Sequence, residues 1–470
     1  MACDFDIITI GLGPAGMAVA AMGQAMGLEV CAFEKHAVGG ECMNVGCIPS
    51  KALLRMAKAR RIFDKLPALA LKGGAKPEPS DVFAHIQRHL DFISEKKTMT
   101  IFEKIHMVYR KGPASFVDAH TVEAGGERHT ARKIFICAGT RPEMPAFEGL
   151  ADVDVLTNEN VFAQETVPDS LIVVGGGAIA CEMAQAFRRL GSEVTLVIRG
   201  PRLMWRESPQ ATDVLEQALI DEGVEILREQ KPARFENVAG RAVMHTDAGR
   251  RVEAAKVLVA AGRRMDLSEL RLDNAGVAHT DRGITVDKYL RTSRRHIFAC
   301  GDCNGYAQFS HAAMHQGMIG LMNAMLPGPM KRDFRRFVVP WTVFTEPQFS
   351  RVGASRRELD GRGVRYETIR VNYGDYGAAI AEAVDAGHVE AYVSPAGRIH
   401  GVTIVGEGSG EMINEWALAI QTRRRMHDLL LLQHSFPTMG FLTKRTAETW
   451  MMARMKSPRL RKLCRFLFRR

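Results

Sequence analysis

The run Phe5-Asp6-Ile7-Ile8-Thr9-Ile10 is short, apolar and β-branched, and predicts a strand. Gly11-Leu12-Gly13-Pro14-Ala15-Gly16 interrupts it at once, and an Ala/Met-rich stretch with helical character follows. Leu28-Glu29-Val30-Cys31-Ala32-Phe33 predicts a second strand, ending at Glu34. The same rhythm returns at residues 171–199. There Leu171–Val174 is a strand, Gly175-Gly176-Gly177-Ala178-Ile179-Ala180 a turn, and a helical run continues through Phe187 before the strand Glu193–Ile198. The chain therefore carries two βαβ units. Between them a helical region runs from about Ser50 to Glu103, broken by the loop Lys72–Pro79. Ile297–Asp302 predicts a strand running into a glycine turn, and past Pro340 the pattern changes to α+β. No solenoid-type repeat or low-complexity tract interrupts this order.

Each glycine turn sits where a dinucleotide phosphate is held, between a strand and a helix N-terminus. In the first, Gly11 permits the tight turn, Gly13 lets backbone approach a pyrophosphate, and Gly16 lets helix and strand pack closely. Pro14 and Ala15 complete that turn, and Glu34 supplies an acceptor for ribose hydroxyls, with Lys35 beside it. The second turn uses Gly175, Gly177 and Ala180. Where a site for an unphosphorylated nucleotide wants an acid, this unit has Ile198 and then Arg199, with Arg202 and Arg206 nearby. A carboxylate there repels a 2′-phosphate and an arginine binds it. The reading is NADPH in preference to NADH.

Gly39-Gly40-Glu41-Cys42-Met43-Asn44-Val45-Gly46-Cys47-Ile48-Pro49-Ser50-Lys51 follows the first unit directly. Two cysteines separated by four residues bridge only if the backbone brings their Cα atoms within about 7 Å. A thiolate at a helix N-terminus is stabilised and becomes a usable nucleophile. This segment resembles the signature of the class I pyridine nucleotide-disulfide oxidoreductases, the dihydrolipoyl dehydrogenases, glutathione reductases and mercuric reductases among them. The resemblance spans about residues 4–455.

The resemblance implies FAD on the first unit and a role for each matching residue. Cys42 is then the interchange thiol and Cys47 the charge-transfer thiol. Lys51 sits near the flavin and pairs with Glu182. Gly40 is a further cofactor-binding position, and Gly301 and Asp302 hold the ribityl or pyrophosphate region. Gly139 and Thr140 lie at the crossover into the second unit, and Gly262 belongs to the same nucleotide framework. Cys300 and Cys303 read as packing residues, and with no further well-placed ligands the sequence presents no metal site.

One departure stands out. The family's disulfide reductases place a His before a Pro-Thr pair and a Glu five residues after that His. Here Phe436 and Phe441 hold those positions in His434-Ser435-Phe436-Pro437-Thr438-Met439-Gly440-Phe441. Neither moves a proton, and His434 is the open alternative. Mercuric reductase also lacks that His, and Gly410–Ala417 looks most like mercuric-reductase-like members. Two features set mercury itself in doubt: the chain has no N-terminal Cys-x-x-Cys domain and no C-terminal vicinal cysteine pair. The reading is electron transfer from NADPH through FAD to a small acceptor. A dihydrolipoyl dehydrogenase or other disulfide reductase with an unusual proton donor is the alternative.

Composition adds partners. The 470 residues carry a net charge of +10 and nine scattered cysteines, an odd number that is no secreted disulfide framework. No apolar run approaches the roughly 18 residues of a membrane span. Arg454–Arg470 holds eight Lys or Arg and no acid, interleaved with Leu460, Leu463, Phe466, Leu467 and Phe468. This tail is either a solvated helix or a peripheral contact with anionic membrane, and the second option makes the chain a membrane-peripheral redox module that delivers electrons to a protein or quinone partner. The expectation is a cytoplasmic α/β protein with two Rossmann-like dinucleotide-binding domains and a C-terminal α+β dimerisation domain. FAD takes residues 1–150 and 276–336, NADPH 151–275, the two-fold homodimer interface 337–455, and the basic tail 456–470. Nucleic acid is not an expected partner.

Overall fold

A computed structural model describes residues 3–94 and 98–469. In its first sheet β1 (Phe5–Ile10) lies between β2 (Val30–Glu34) and the long β6 (Glu127–Ile136), parallel to both. β3 (His106–Tyr109) continues the sheet beyond β2. β4 (Ser115–Phe116) and β5 (Thr121–Ala124) add an antiparallel extension on β6. β1 is covered on both faces, which is why Ile7, Ile8 and Ile10 are all buried. Helix α1 (Pro14–Ala25) opens with proline in its first turn, where a missing N–H costs nothing. β2 begins at Val30, two residues later than expected. Leu28 N–H instead donates to Gly23 O and closes the end of α1.

The predicted helical region opens earlier than read. A single turn, α2 (Gly40–Asn44), leads into α3 (Cys47–Lys65). After a loop, a further helix covers Val82–Ile93.

The second sheet is wholly parallel. Its order is β10 (Glu225–Leu227), β9 (Glu193–Val197), β8 (Ser170–Val174), β11 (Lys256–Val259) and β7 (Val155–Leu156). Helix α4 (Ala178–Leu190) follows its glycine turn. An antiparallel ribbon joins the two sheets, Arg141–Pro142 pairing with Arg263–Arg264, so the chain leaves and re-enters the first unit side by side. β12 (Ile297–Ala299) then returns to the first sheet beside β6. Helix α5 (Ser310–Met325) packs across α1. A Cβ at Gly317 would lie 2.4 Å from Ala15 O, so only glycine allows that approach.

Past Pro340 the chain forms an antiparallel sheet, in the order β13 (Trp341–Val343), β14 (Phe349–Gly353), β17 (Ile399–Val405), β16 (His388–Val393) and β15 (Glu367–Asn372). Helices α6 (Ser409–Gln421) and α7 (Phe441–Met455) bury Trp416, Leu442 and Trp450 against it. The tail forms α8 (Pro458–Phe468). Among the described residues no helix is long and apolar enough to cross a membrane.

Candidate active site

The first glycine turn is built by contact. A Cβ at Gly11 would meet Cys137 O at 2.6 Å, and one at Gly16 would meet Gly11 O at 1.9 Å. One at Gly13 would meet nothing within 4 Å, so that residue leaves room over the turn. Gly40 seals the other side, since a Cβ there would lie 2.9 Å from Gly13 Cα. Ala15 is buried beneath the turn. Glu34 accepts from Leu12 N–H at 2.8 Å and His36 N–H at 2.7 Å. Its carboxylate thus braces the turn while keeping lone pairs for a ligand. Lys35 turns outward into an ion pair with Glu269.

Asp302 follows β12, next to Gly301, where an added Cβ would lie 3.5 Å from Ala15 Cβ of this turn. Thr140 Oγ1 donates to it at 3.0 Å, and burial pushes its carboxyl above the usual range. Gly139 adopts φ +70°, and a Cβ on it would meet nothing within 4 Å. Around the open backbone of Gly13 and Gly139, a buried carboxylate and a helix N-terminus make a cradle that fits a dinucleotide. The second turn is similar. A Cβ at Gly175 would meet Ala260 O at 2.3 Å, Gly177 is open and Ala180 is buried. Gly262 is backed by Glu143, whose N–H donates to Gly262 O at 3.0 Å. Arg199 is exposed and has no ion pair among the described residues. Arg202 is held by Asp213 at 3.2 Å, and Arg206 lies over the Trp205 ring.

The cysteine segment owes its shape to Gly46. A Cβ there would meet Glu41 O at 2.8 Å, so α3 starts directly against α2. Cys47 becomes the first residue of α3, within hydrogen-bonding reach of Cys42, and both are free thiols. Cys47 Sγ also lies 3.3 Å from Ser310 Oγ at the start of α5. The Cys47 thiol is lowered to about 6. The hydrogen bond from Cys42 contributes most, and the Ser310 hydroxyl and the charge of Lys51 act in the same direction. Cys42 moves the other way, because it donates that hydrogen bond and is partly buried. One sulfur is thus set up as a thiolate and the other as its proton-bearing neighbour.

Lys51 sits one helical turn along α3. Leu53, Leu54 and Ala57 pack α3 against α4, which carries Glu182. Lys51 Nζ reaches Glu182 Oε2 at 2.9 Å, and Phe344 N–H donates to Oε1 at 2.9 Å. The Phe344 ring lies 4.3 Å from the ammonium. Arg263 closes the other flank. It donates to Thr140 Oγ1 at 2.8 Å and Thr140 O at 3.0 Å, and pairs with Glu41, the neighbour of Cys42.

Ser310, Phe344, Arg263 and Glu41 escaped the sequence reading. Each comes from a separate element, and only Glu41, inside the cysteine segment, carried any local signal. Cys300 and Cys303 are fully buried, and Cys303 donates weakly to Ile136 O. In the C-terminal domain Phe436 is 72% exposed, with its ring edge against Phe441 at 5.3 Å. His434 is not a loose loop residue: its Nε2 lies 2.9 Å from Glu415 Oε1.

Two dinucleotide-type units meeting at a polarised thiol pair define a nucleotide-dependent dithiol oxidoreductase. The chain belongs to the pyridine nucleotide-disulphide oxidoreductase family. Residues 5–317 match that family and residues 339–445 its dimerisation domain. It is 31% identical to the mercuric reductase of Acidithiobacillus ferrooxidans over 95% of this chain and 83% of that one. It is 30% identical to the dihydrolipoyl dehydrogenase of Bacillus subtilis over 87% of this chain and 90% of that one. The solved Cu(II) complex of the HOCl-induced flavoprotein disulfide reductase RclA from Escherichia coli shares the fold. Its TM-score is 0.85 at 24% identity, covering 95% of this chain and 99% of that one. The enzyme is accordingly an FAD-dependent oxidoreductase that takes electrons from NAD(P)H. Its C-terminal match supports a homodimer.

Proposed function

We propose that this enzyme uses NADPH to reduce a small thiophilic acceptor, a soft metal ion or comparable electrophile, through Cys42 and Cys47. FAD, when bound, supplies the two-electron relay between nucleotide and thiols. The chain's own residues do the rest. The thiolate of Cys47 is held by Ser310 and Lys51, while Cys42 presents the outer sulfur. Lys51, fixed by Glu182, keeps a positive charge beside the reacting centre. Arg199 selects the 2′-phosphate. We assign the nucleotide and interface domains to the ranges given by the sequence reading.

The observation that carries this reading is Phe436 against Phe441, where a disulfide reductase of this family needs a proton donor and its carboxylate partner. A metal ion accepts electrons without needing a proton delivered to a leaving thiol, so it loses least by that replacement. The mercuric reductase relatives and the Cu(II) complex of the RclA neighbour support the same class of acceptor. The test is anaerobic NADPH titration of the holoenzyme followed by turnover with Hg²⁺, Cu²⁺, lipoamide and oxidised glutathione. The reading expects a thiolate-to-flavin absorbance band and turnover with a metal ion. Brisk turnover with lipoamide alone overturns it.

The His434–Glu415 pair favours a second reading, a disulfide reductase whose donor has moved two residues upstream. Loss of lipoamide turnover in His434→Gln supports it. The tail favours peripheral membrane contact. Leu460, Leu463, Cys464 and Leu467 share one face of α8, opposite Lys462, Arg465 and Arg469. Deleting residues 456–470 then abolishes binding to anionic vesicles, and unchanged binding rules the contact out.

A further inference from the structure

Three ligand-type side chains converge at the end of the first sheet that faces away from the glycine turn. Cys31 is the second residue of β2 and His106 the first of β3, directly opposite in register. His129 is near the start of β6. Nucleotides in such sheets bind at the carboxyl ends of the parallel strands. These residues sit at the amino ends, on the far side from Gly13 and Cys47. Their ligand atoms all lie within 4.8 Å of one another.

We propose that Cys31, His106 and His129 form a binding site for a divalent ion of the zinc type. Nε2 of His106 and Nε2 of His129 are 3.2 Å apart. Two imidazole nitrogens bound at about 2.0–2.1 Å to a tetrahedral ion stand roughly 3.3 Å apart. A hydrogen bond between the rings accounts for that spacing. It does not account for a buried sulfur directed at both. Phe5 packs against the two rings, at 5.3 Å from His106 and 5.4 Å from His129, and fixes their planes.

The chemistry agrees with the geometry. Cys31 is fully buried, and burial pushes its thiol up to about 12, with Glu127 and Asp4 adding to the effect. Without an ion it is a neutral thiol. Burial, then His106, lowers His129, which keeps it in the neutral, ligating form. An arriving M²⁺ displaces the thiol proton to solvent and forms an S–M bond, leaving a net single positive charge on the site. Glu127 and Asp4 lie close enough to offset that charge. His106 is exposed, which gives an entry path and leaves the fourth position to water. One thiolate and two imidazoles select zinc, cobalt or copper over magnesium or calcium.

The test uses the FAD-loaded protein with Cys42→Ser and Cys47→Ser, which removes the redox thiols as competitors. Co²⁺ is the probe. One equivalent should bind with thiolate-to-cobalt charge-transfer absorbance and the intense d–d bands of a tetrahedral site, and Zn²⁺ should displace it. His106→Gln and His129→Gln, changed at accessible positions, should each raise the Co²⁺ dissociation constant at least about tenfold. Cys31→Ala should remove the charge-transfer band. The proposal is overturned if no Co²⁺ binds, or if binding is unchanged in both histidine variants. Cys464 and Cys3 remain in every variant, so a signal from them would survive all three changes.

Discussion

Lys51 Nζ rests 2.9 Å from Glu182 Oε2, and the same carboxylate accepts the N–H of Phe344. One buried acid thus ties α3, α4 and the residue after β13 together at the thiol site. Glu182→Ala removes both acceptors at once. It should cost roughly 1–3 kcal/mol of stability through the orphaned Phe344 N–H, and slow thiol reduction by releasing Lys51. Chemical denaturation and single-turnover reduction by NADPH check the two effects separately.

The Cys47 thiol is lowered to about 6 from an ordinary 9.0. A group depressed in this way favours the reduced, folded enzyme fully above pH 9, and that contribution fades as pH falls through about 6. The thiolate-to-flavin band of the two-electron-reduced enzyme should therefore grow with pH, with its midpoint near 6. Ser310→Ala should move that midpoint up by roughly half a pH unit to one, as befits one lost hydrogen bond.

The proposed function makes Arg199 the nucleotide-selecting residue, and among the described residues it has no ion pair. Arg199→Ala should raise KM for NADPH by about 10-fold or more, the worth of one charge-assisted hydrogen bond. KM for NADH should barely change. Steady-state kinetics with both nucleotides decides it, and equal losses would remove Arg199 from the phosphate site.

Gly46→Ala forces a methyl group to within 2.8 Å of Glu41 O. The junction of α2 and α3 must then open, parting Cys42 from Cys47. FAD content should stay close to normal while the disulfide fails to form. Mass spectrometry after alkylation, with and without reductant, measures this directly.

Much of this could be read from the sequence because it is local. The glycine turns, Glu34 and the Cys42–Cys47 segment each fit within a few consecutive residues, and close contact explains their types. Ser310, Phe344 and Arg263 could not be read that way. They reach the site from α5, the end of β13 and the inter-sheet ribbon, and their spacing along the chain carries no period. Lys35, beside Glu34, pairs with Glu269, a partner its place in the sequence does not disclose. The pairing of His434 was invisible because its partner Glu415 lies well upstream, on α6, while His434 itself sits in a loop. Cys31, His106 and His129 stayed hidden for the same reason: parallel strands place side by side residues that are far apart in the chain.

The ribbon of Arg141–Pro142 and Arg263–Arg264 does more than connect two sheets. Arg263 rides on the returning strand and grips Glu41, the residue before Cys42. The seating of that ribbon therefore reaches the thiol loop through a single guanidinium, so the posture of Cys42 depends on a contact made from the far end of the chain's excursion into the second sheet.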